Sequence, residues 1–221
     1  MLKNLKIALR MGLGFGLVLV FMIAIIVVGL NQMEVTHEKL ERIMAVNNVR
    51  LHHANHMIDD TRDVSISVRN IILLKDIRNT EAIKNEIVKS RKEYDEDLKK
   101  IEELTNKEDT KAWDIISKIK TSTDASRQLV TKVIDLASAE KYDDATNLLI
   151  KEATPLMLQR TEQIDELIKH NEERNAMRYE EAEKSQADAR TTMFIIGAIA
   201  ITLAVLIVIF LTLGITRPLA Q

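Results

Sequence analysis

Hydrophobic positions in this 221-residue chain follow two different patterns. Residues 11–30 form an uncharged run, MGLGFGLVLVFMIAIIVVGL, and residues 193–215 form a second, MFIIGAIAITLAVLIVIFLTLGI. At 1.5 Å per residue a helix over either run measures about 30 Å, one hydrocarbon thickness. A helix apolar on all sides over that length reads as a membrane span. A cleaved leader is the competing reading of the first run. Lys3, Lys6 and Arg10 suit it, but the apolar run is too long, and no small-x-small site precedes Asn31-Gln32-Met33-Glu34.

Between the runs the apolar residues become periodic. Positions 40, 44, 47, 51, 54, 58, 61, 65, 68 and 72 follow a 4-3 spacing, and seven of these ten are apolar. They predict a first helix continuing out of the first span. The chain breaks at Lys75-Asp76-Ile77-Arg78-Asn79, and Thr80 is the expected N-cap of a second helix faced by Ile83, Ile87, Tyr94, Leu98, Ile101 and Leu104. A turn at Asn106 to Asp109 leads to a third helix with Trp113, Ile116, Ile119, Leu129, Val133 and Leu136. A connection around Ala137 to Pro155 holds a short helical piece, Asp144 to Ile150. Thr154-Pro155 then reads as a hydroxyl N-cap followed by proline at the first helical position, opening a fourth helix into the second span. Short links imply antiparallel neighbours. The expected fold is therefore all-α: an antiparallel up-down-up-down four-helix bundle flanked by two transmembrane helices.

Composition sharpens this picture. All six glycines and all four phenylalanines fall in or beside the apolar runs, and residues 31–192 contain no Gly and one Pro. Without residues suited to tight turns, most β folds, phosphate loops and dinucleotide fingerprints are excluded from that segment. The absence of Cys removes disulfides, thiolate catalysis and Cys-ligated metals. Few aromatics line the seams, so no large hydrophobic cofactor is expected.

Lys3, Lys6 and Arg10 place the N-terminus in the cytoplasm by the positive-inside rule, and two spans return Arg217 there. Residues 1–10 and 216–221 are then cytoplasmic, and residues 31–192 form an extracytoplasmic domain of a two-pass inner-membrane protein. That domain carries all 33 acids and all but Lys3, Lys6, Arg10 and Arg217 of the 31 basic residues, a formal charge of −6. Nothing in that balance points to nucleic acid. Gly12-x-x-x-Gly16 could bring two first spans together.

The order span, long bundle, span, then Gly214-Ile215-Thr216-Arg217-Pro218-Leu219-Ala220-Gln221 resembles a receptor running into the first residues of a HAMP domain. Ser67-Val68-Arg69-Asn70-Ile71-Ile72-Leu73-Leu74, Asp144-Ala145-Thr146-Asn147-Leu148-Leu149 and Glu152-Ala153-Thr154-Pro155-Leu156 are similar to the four-helix-bundle sensory domain of bacterial methyl-accepting chemotaxis proteins. The resemblance covers essentially the whole chain. It implies a homodimeric chemoreceptor that binds a small extracellular ligand, or a ligand-loaded periplasmic binding protein. It further implies a cytoplasmic signalling region beyond Gln221 that addresses a chemotaxis kinase and adaptor, so the chain reads as a fragment; a stand-alone sensor that borrows its output partner is the alternative. The sensor half of a histidine kinase or cyclase, and a ligand-free dimerisation module, are the alternative functions. No enzyme is expected.

The candidate ligand residues are Arg62, Ser65, Arg69, Asn70 and Thr154. Arg62 and Arg69 are seven apart and share a helix face. Arg69 lies about 58 Å along a helix from Leu30, and Thr154 about 57 Å from Thr192, so the two are expected at one height. A free helix N-terminus beside Arg favours an anion, and the guanidinium fork suits a carboxylate or amino acid. In the aspartate-receptor branch, the resemblance implies, arginines late in the first helix and a threonine opening the fourth hold the ligand. Arg69 and Thr154 match loosely, and Ser65 stands where a further arginine is expected. Surface ion pairing is the alternative for the arginines, and simple capping for Thr154. His52 and His56, with His53 between them, could share a metal at i, i+4, but a solvated helix face is the expected reading and no metal is predicted. Asp59-Asp60, Glu102-Glu103 and Asp143-Asp144 read as solvated helix positions.

Overall fold

The computed structural model describes residues 7–75 and 77–219. The described residues are almost entirely helical: α1 Ile7–Glu41, α2 Asn48–Leu74, α3 Ile77–Leu104, α4 Thr110–Ser138, α5 Tyr142–Leu148 and α6 Thr154–Leu219. Two π-helical turns, Arg42–Asn47 and Leu149–Ala153, join α1 to α2 and α5 to α6. The chain folds as an all-α four-helix bundle preceded and followed by long apolar helical segments. It divides into two compact units, Met1–Glu41 with Met177–Gln221, and Arg42–Ala176.

In the first unit two helical segments are long and apolar enough to cross a membrane, with mean hydropathy 3.0 in each. Their large apolar side chains point outward, as Phe15, Leu30, Phe194 and Ile201 do. A Cβ on Gly14 would stand 2.7 Å from Ile207 Cγ2, so the glycine is what lets these segments approach there. Gly12 and Gly16 face open space. Gln32 exchanges hydrogen bonds with Ser185 at 3.2 and 3.3 Å where the apolar runs end.

The bundle unit holds two apolar clusters. One contains Val64, Val68, Ile71, Ile87, Val130, Val133, Leu149 and Met157; the other contains Ala54, Met57, Leu98, Ile101, Ile115, Ile119, Ile164 and Leu167. Burial falls on Asn47 in the π turn and on 50, 54, 57, 61, 64, 67, 68, 71 and 72 of α2. Of the expected seam, 54, 61, 68 and 72 are buried, whereas at 51, 58 and 65 the residue before each is the more buried one. Met57 and Val64 take the centre of the seam, while Ile58 packs at its edge and Ile71 and Ile72 are both buried. Leu40 and Met44 are exposed.

The ends of the elements also differ from expectation. Lys75 closes α2 in the left-handed region, with φ 49°, and α3 begins at Ile77. Thr80 is therefore buried inside α3 and does not cap it. Asp109 does cap α4, accepting from the Ala112 amide at 3.2 Å, and the Trp113 indole donates to the Asn106 carbonyl at 3.1 Å to pin the same turn. Past the Ala139–Lys141 turn, where Glu140 takes φ 59°, the chain is helical without a break from Tyr142 to Leu219. Thr154 has helical angles, φ −60° and ψ −46°, and its amide donates to the Leu149 carbonyl. It opens no free N-terminus. Pro155 explains the widened turn before it: the ring lacks an N–H and clashes with the carbonyl four residues back, so the preceding bonds lengthen to i→i−5. Pro218 likewise does not break α6, which continues to Leu219.

Candidate functional site

Three polar constellations stand out in the bundle. The first is a groove of about 330 Å³ lined by Arg69 and Ile72 of α2, Leu73, Thr146 of α5, Leu149, Ile150 and Thr154. Because α5, the π turn and α6 form one continuous rod, Thr146, Ile150 and Thr154 recur on one side of it and face α2. Arg69 and Thr154 are thus brought together. Arg62, Ser65 and Asn70 do not line this groove. Arg62 lies in solvent and pairs with Asp59 at 2.7 Å, a surface bridge of little energetic weight. Ser65 is half-buried and Asn70 exposed. The backbone contributes no helix N-terminus here, since the Thr154 amide is already bonded and Pro155 has none.

The second constellation is a polar layer between the two apolar clusters. Thr61 of α2, Ser90 of α3, Ser122 and Ser126 of α4 and Arg160 of α6 are buried at this level. Arg91 and Arg127 exchange contacts with each other's backbone: Arg91 Nη2 donates to the Arg127 carbonyl at 3.3 Å, and Arg127 Nη2 to the Arg91 carbonyl at 3.1 Å. Arg127 also pairs with both Asp95 oxygens, at 2.9 and 3.0 Å. Arg160 is 4% exposed and donates to Ser126 Oγ at 3.2 Å. Its guanidinium and that of Arg127 lie 5.1 and 5.4 Å from the centre of the Tyr94 ring. The Tyr94 hydroxyl meets Thr123 Oγ1 at 2.9 Å, and burial holds its phenol above the usual range. Sequence periodicity did not single out these arginines. The available signal was Arg160 itself, which falls on the 153, 157, 160, 164, 167 seam where an apolar residue belongs.

The third is an acidic and imidazole edge between α2 and α3. His53 Nδ1 meets Asp97 Oδ1 at 2.6 Å, and His56 Nδ1 lies 3.7 Å from Asp97 Oδ2. His53 is thus half-buried against a carboxylate on α3, while His52 and His56 remain exposed, as a solvated face requires. The His52 ring lies against that of His56, with ring centres 4.1 Å apart and the planes tilted by 56°. Asp60 also departs from the expected solvated position: burial first, then Glu93, Asp97 and Asp63, push its carboxyl up to about 6. Among the described residues no three His, Asp or Glu side chains converge as a metal-ligand set.

The molecule is thus an all-α bundle with a groove lined by Arg69 and Thr154 and with apolar helical segments before and after it in the chain. The chain belongs to the family of four-helix-bundle sensory modules for signal transduction, which matches residues 4–187. That family is a sensory one and not a catalytic one. No curated protein and no solved structure matches the chain.

Proposed function

We propose that the chain is the sensory part of a two-pass chemoreceptor of the inner membrane. In this reading residues 11–30 and 193–215 are the spans, residues 31–192 are periplasmic, and residues 1–10 and 216–221 are cytoplasmic. Two copies form a homodimer, for which the open faces of Gly12 and Gly16 leave room. The signal passes from Thr216 onward into a HAMP region and through it to a chemotaxis kinase and adaptor. No step is catalytic.

The observation that carries the reading is the groove shared by Arg69 and Thr154 in a chain of a sensory family. Its size is that of a small-molecule pocket. Arg69 offers a bidentate fork to a carboxylate, Thr146 and Thr154 offer hydroxyls, and Ile72, Leu73, Leu149 and Ile150 line the rest. A small carboxylic acid or amino acid with an apolar body fits this lining. A ligand on Thr154 acts directly on α6, which continues to Leu219. A small displacement or rotation of one rigid helix is a known form of two-state switching.

The test is a thermal-shift panel of carboxylates, amino acids and amines on the full chain in nanodiscs. One class is expected to stabilise it by about 2.7 kcal/mol at 100-fold saturation, and Arg69→Ala is expected to abolish that gain. A broad panel without a hit would leave the ligand-free or binding-protein reading. A hit that Arg69→Ala retains would remove the groove from the account.

A further inference from the structure

The edge between α2 and α3 sets imidazoles and carboxylates against one another. From α2 it takes His52, His53, His56, Asp60 and Asp63, and from α3 Glu93 and Asp97. Asp97 is the hub. Its side chain is 13% exposed, its Oδ1 meets His53 Nδ1 at 2.6 Å, and its Oδ2 lies 3.7 Å from His56 Nδ1. Among the described residues no lysine or arginine pairs with Asp97, so these two imidazoles are the bases that can neutralise it.

Asp60 lies one turn beyond His56 on α2. Burial first, then Glu93, Asp97 and Asp63, push its carboxyl up to about 6, with His56 acting the other way. Its Oδ2 is buried without a hydrogen-bond partner. Arg91 of α3, Arg127 of α4 and Arg160 of α6 border the small cavity beside it. Among the described residues none of the three forms an ion pair with Asp60, and Arg127 is taken by Asp95. Glu93 is held by the exposed Lys89 of its own helix at 3.6 Å. Carboxylates of α2 and α3 are therefore left facing each other.

The two kinds of group respond to protons in the same direction. Imidazole is the side chain that changes charge between pH 5 and 8. Protonated imidazoles at 53 and 56 face Asp97 as charged donors, and charge-assisted bonds are roughly twice as strong as neutral ones. Repulsion between His52 and His56, both exposed, is screened by water and salt. Protonation of Asp60 removes its repulsion with Glu93 and Asp97. As pH rises through about 6, Asp60 ionises and its cost to the folded state becomes complete, while the imidazoles lose their charge.

We propose that the α2–α3 edge is a proton-operated clamp, in which His53, His56 and Asp60 take up protons on acidification and draw α2 and α3 together around Asp97. The proton is then a second stimulus for the bundle. The clamp uses no residue of the Arg69 groove and stands whether or not that groove binds a carboxylate.

The experiment compares the full chain in nanodiscs at pH 5 and pH 8 and constant ionic strength. Hydrogen exchange, corrected for the intrinsic rate at each pH, is expected to show the amides along this edge roughly tenfold better protected at pH 5, the factor that one unit of proton linkage gives. The triple variant His53→Gln, His56→Gln, Asp60→Asn keeps polar side chains of similar size without the titrating groups, and is expected to remove the difference. In parallel, spin labels at Asn55→Cys and Lys99→Cys, exposed positions of α2 and α3 in a chain without native cysteine, read the clamp with its own residues intact. Their distance distribution is expected to be narrower at pH 5 than at pH 8. Equal protection at the two pH values, or label distances that do not respond, overturns the proposal. So does a pH difference that persists in the folded triple variant.

Discussion

Asp109 meets three neighbours with one carboxylate. Its Oδ1 accepts from the Ala112 amide and His170 Nε2, and its Oδ2 lies 3.0 Å from Arg174 Nη1. Burial alone would raise its pKa, but the His170 and Ala112 hydrogen bonds and the Arg174 charge hold it below the usual carboxylate range. A depressed acid contributes stability above its unfolded pKa and loses it as pH falls through the folded value. Asp109→Ala removes an N-cap and leaves His170 and Arg174 without their partner. Chemical denaturation at pH 7 is expected to show a loss of about 2–3 kcal/mol. Asp60 has the opposite sign. Its folded pKa of about 6 lies above the ordinary carboxylate value of 3.8, so its ionised form opposes folding. That cost is complete above about pH 6 and vanishes below the unfolded value. Asp60→Asn is expected to be more stable than wild type at pH 8, by about 1 kcal/mol after solvent screening, with the gap closing towards pH 4. Asn171 is fully buried, and neither amide atom has a hydrogen-bond partner. Asn171→Leu is expected to stabilise the bundle by about 1–3 kcal/mol, read as a higher denaturation midpoint.

Among the elements, α2, α3 and α4 were legible in the sequence because their apolar rows repeat at 3.6 residues and the Asn106–Asp109 turn carries a strong cap. Misplaced boundaries trace to local chemistry that propensity cannot rank. Thr80 had the right side chain for a cap, yet Lys75 could adopt a left-handed end and let α3 start at Ile77. Thr154-Pro155 had the signature of a helix start, but a proline can also be absorbed by a π turn when helix precedes it. The groove depends on the same boundary. Arg69 and Thr154 could be placed at one height from helix rise alone, whereas the loss of the free N-terminus depended on how the backbone crosses Leu149–Ala153. The arginine layer is legible only through Arg160 on its apolar seam, because long charged side chains usually lie at the surface. Pro155 makes the element-level prediction. Pro155→Ala supplies an N–H and removes the ring clash, so Leu149–Ala153 is expected to tighten to α-helix. Hydrogen exchange should then show a protected amide at position 155, where an unchanged π turn would leave fast exchange in this segment.

For the whole molecule, the strongest claim concerns the two apolar segments and the bundle between them. The described helices supply length, mean hydropathy and outward apolar side chains, the features a bilayer requires. The basic residues at 3, 6 and 10 supply the proposed orientation. Because the chain has no native cysteine, single substitutions report topology without background. The most direct measurement is labelling of Lys141→Cys and Asn4→Cys by a membrane-impermeant maleimide in intact and permeabilised cells. Lys141→Cys is expected to label in intact cells, and Asn4→Cys only after the membrane is opened. Labelling of both in intact cells, or of Lys141→Cys only after permeabilisation, would contradict a two-span receptor with its sensory bundle outside.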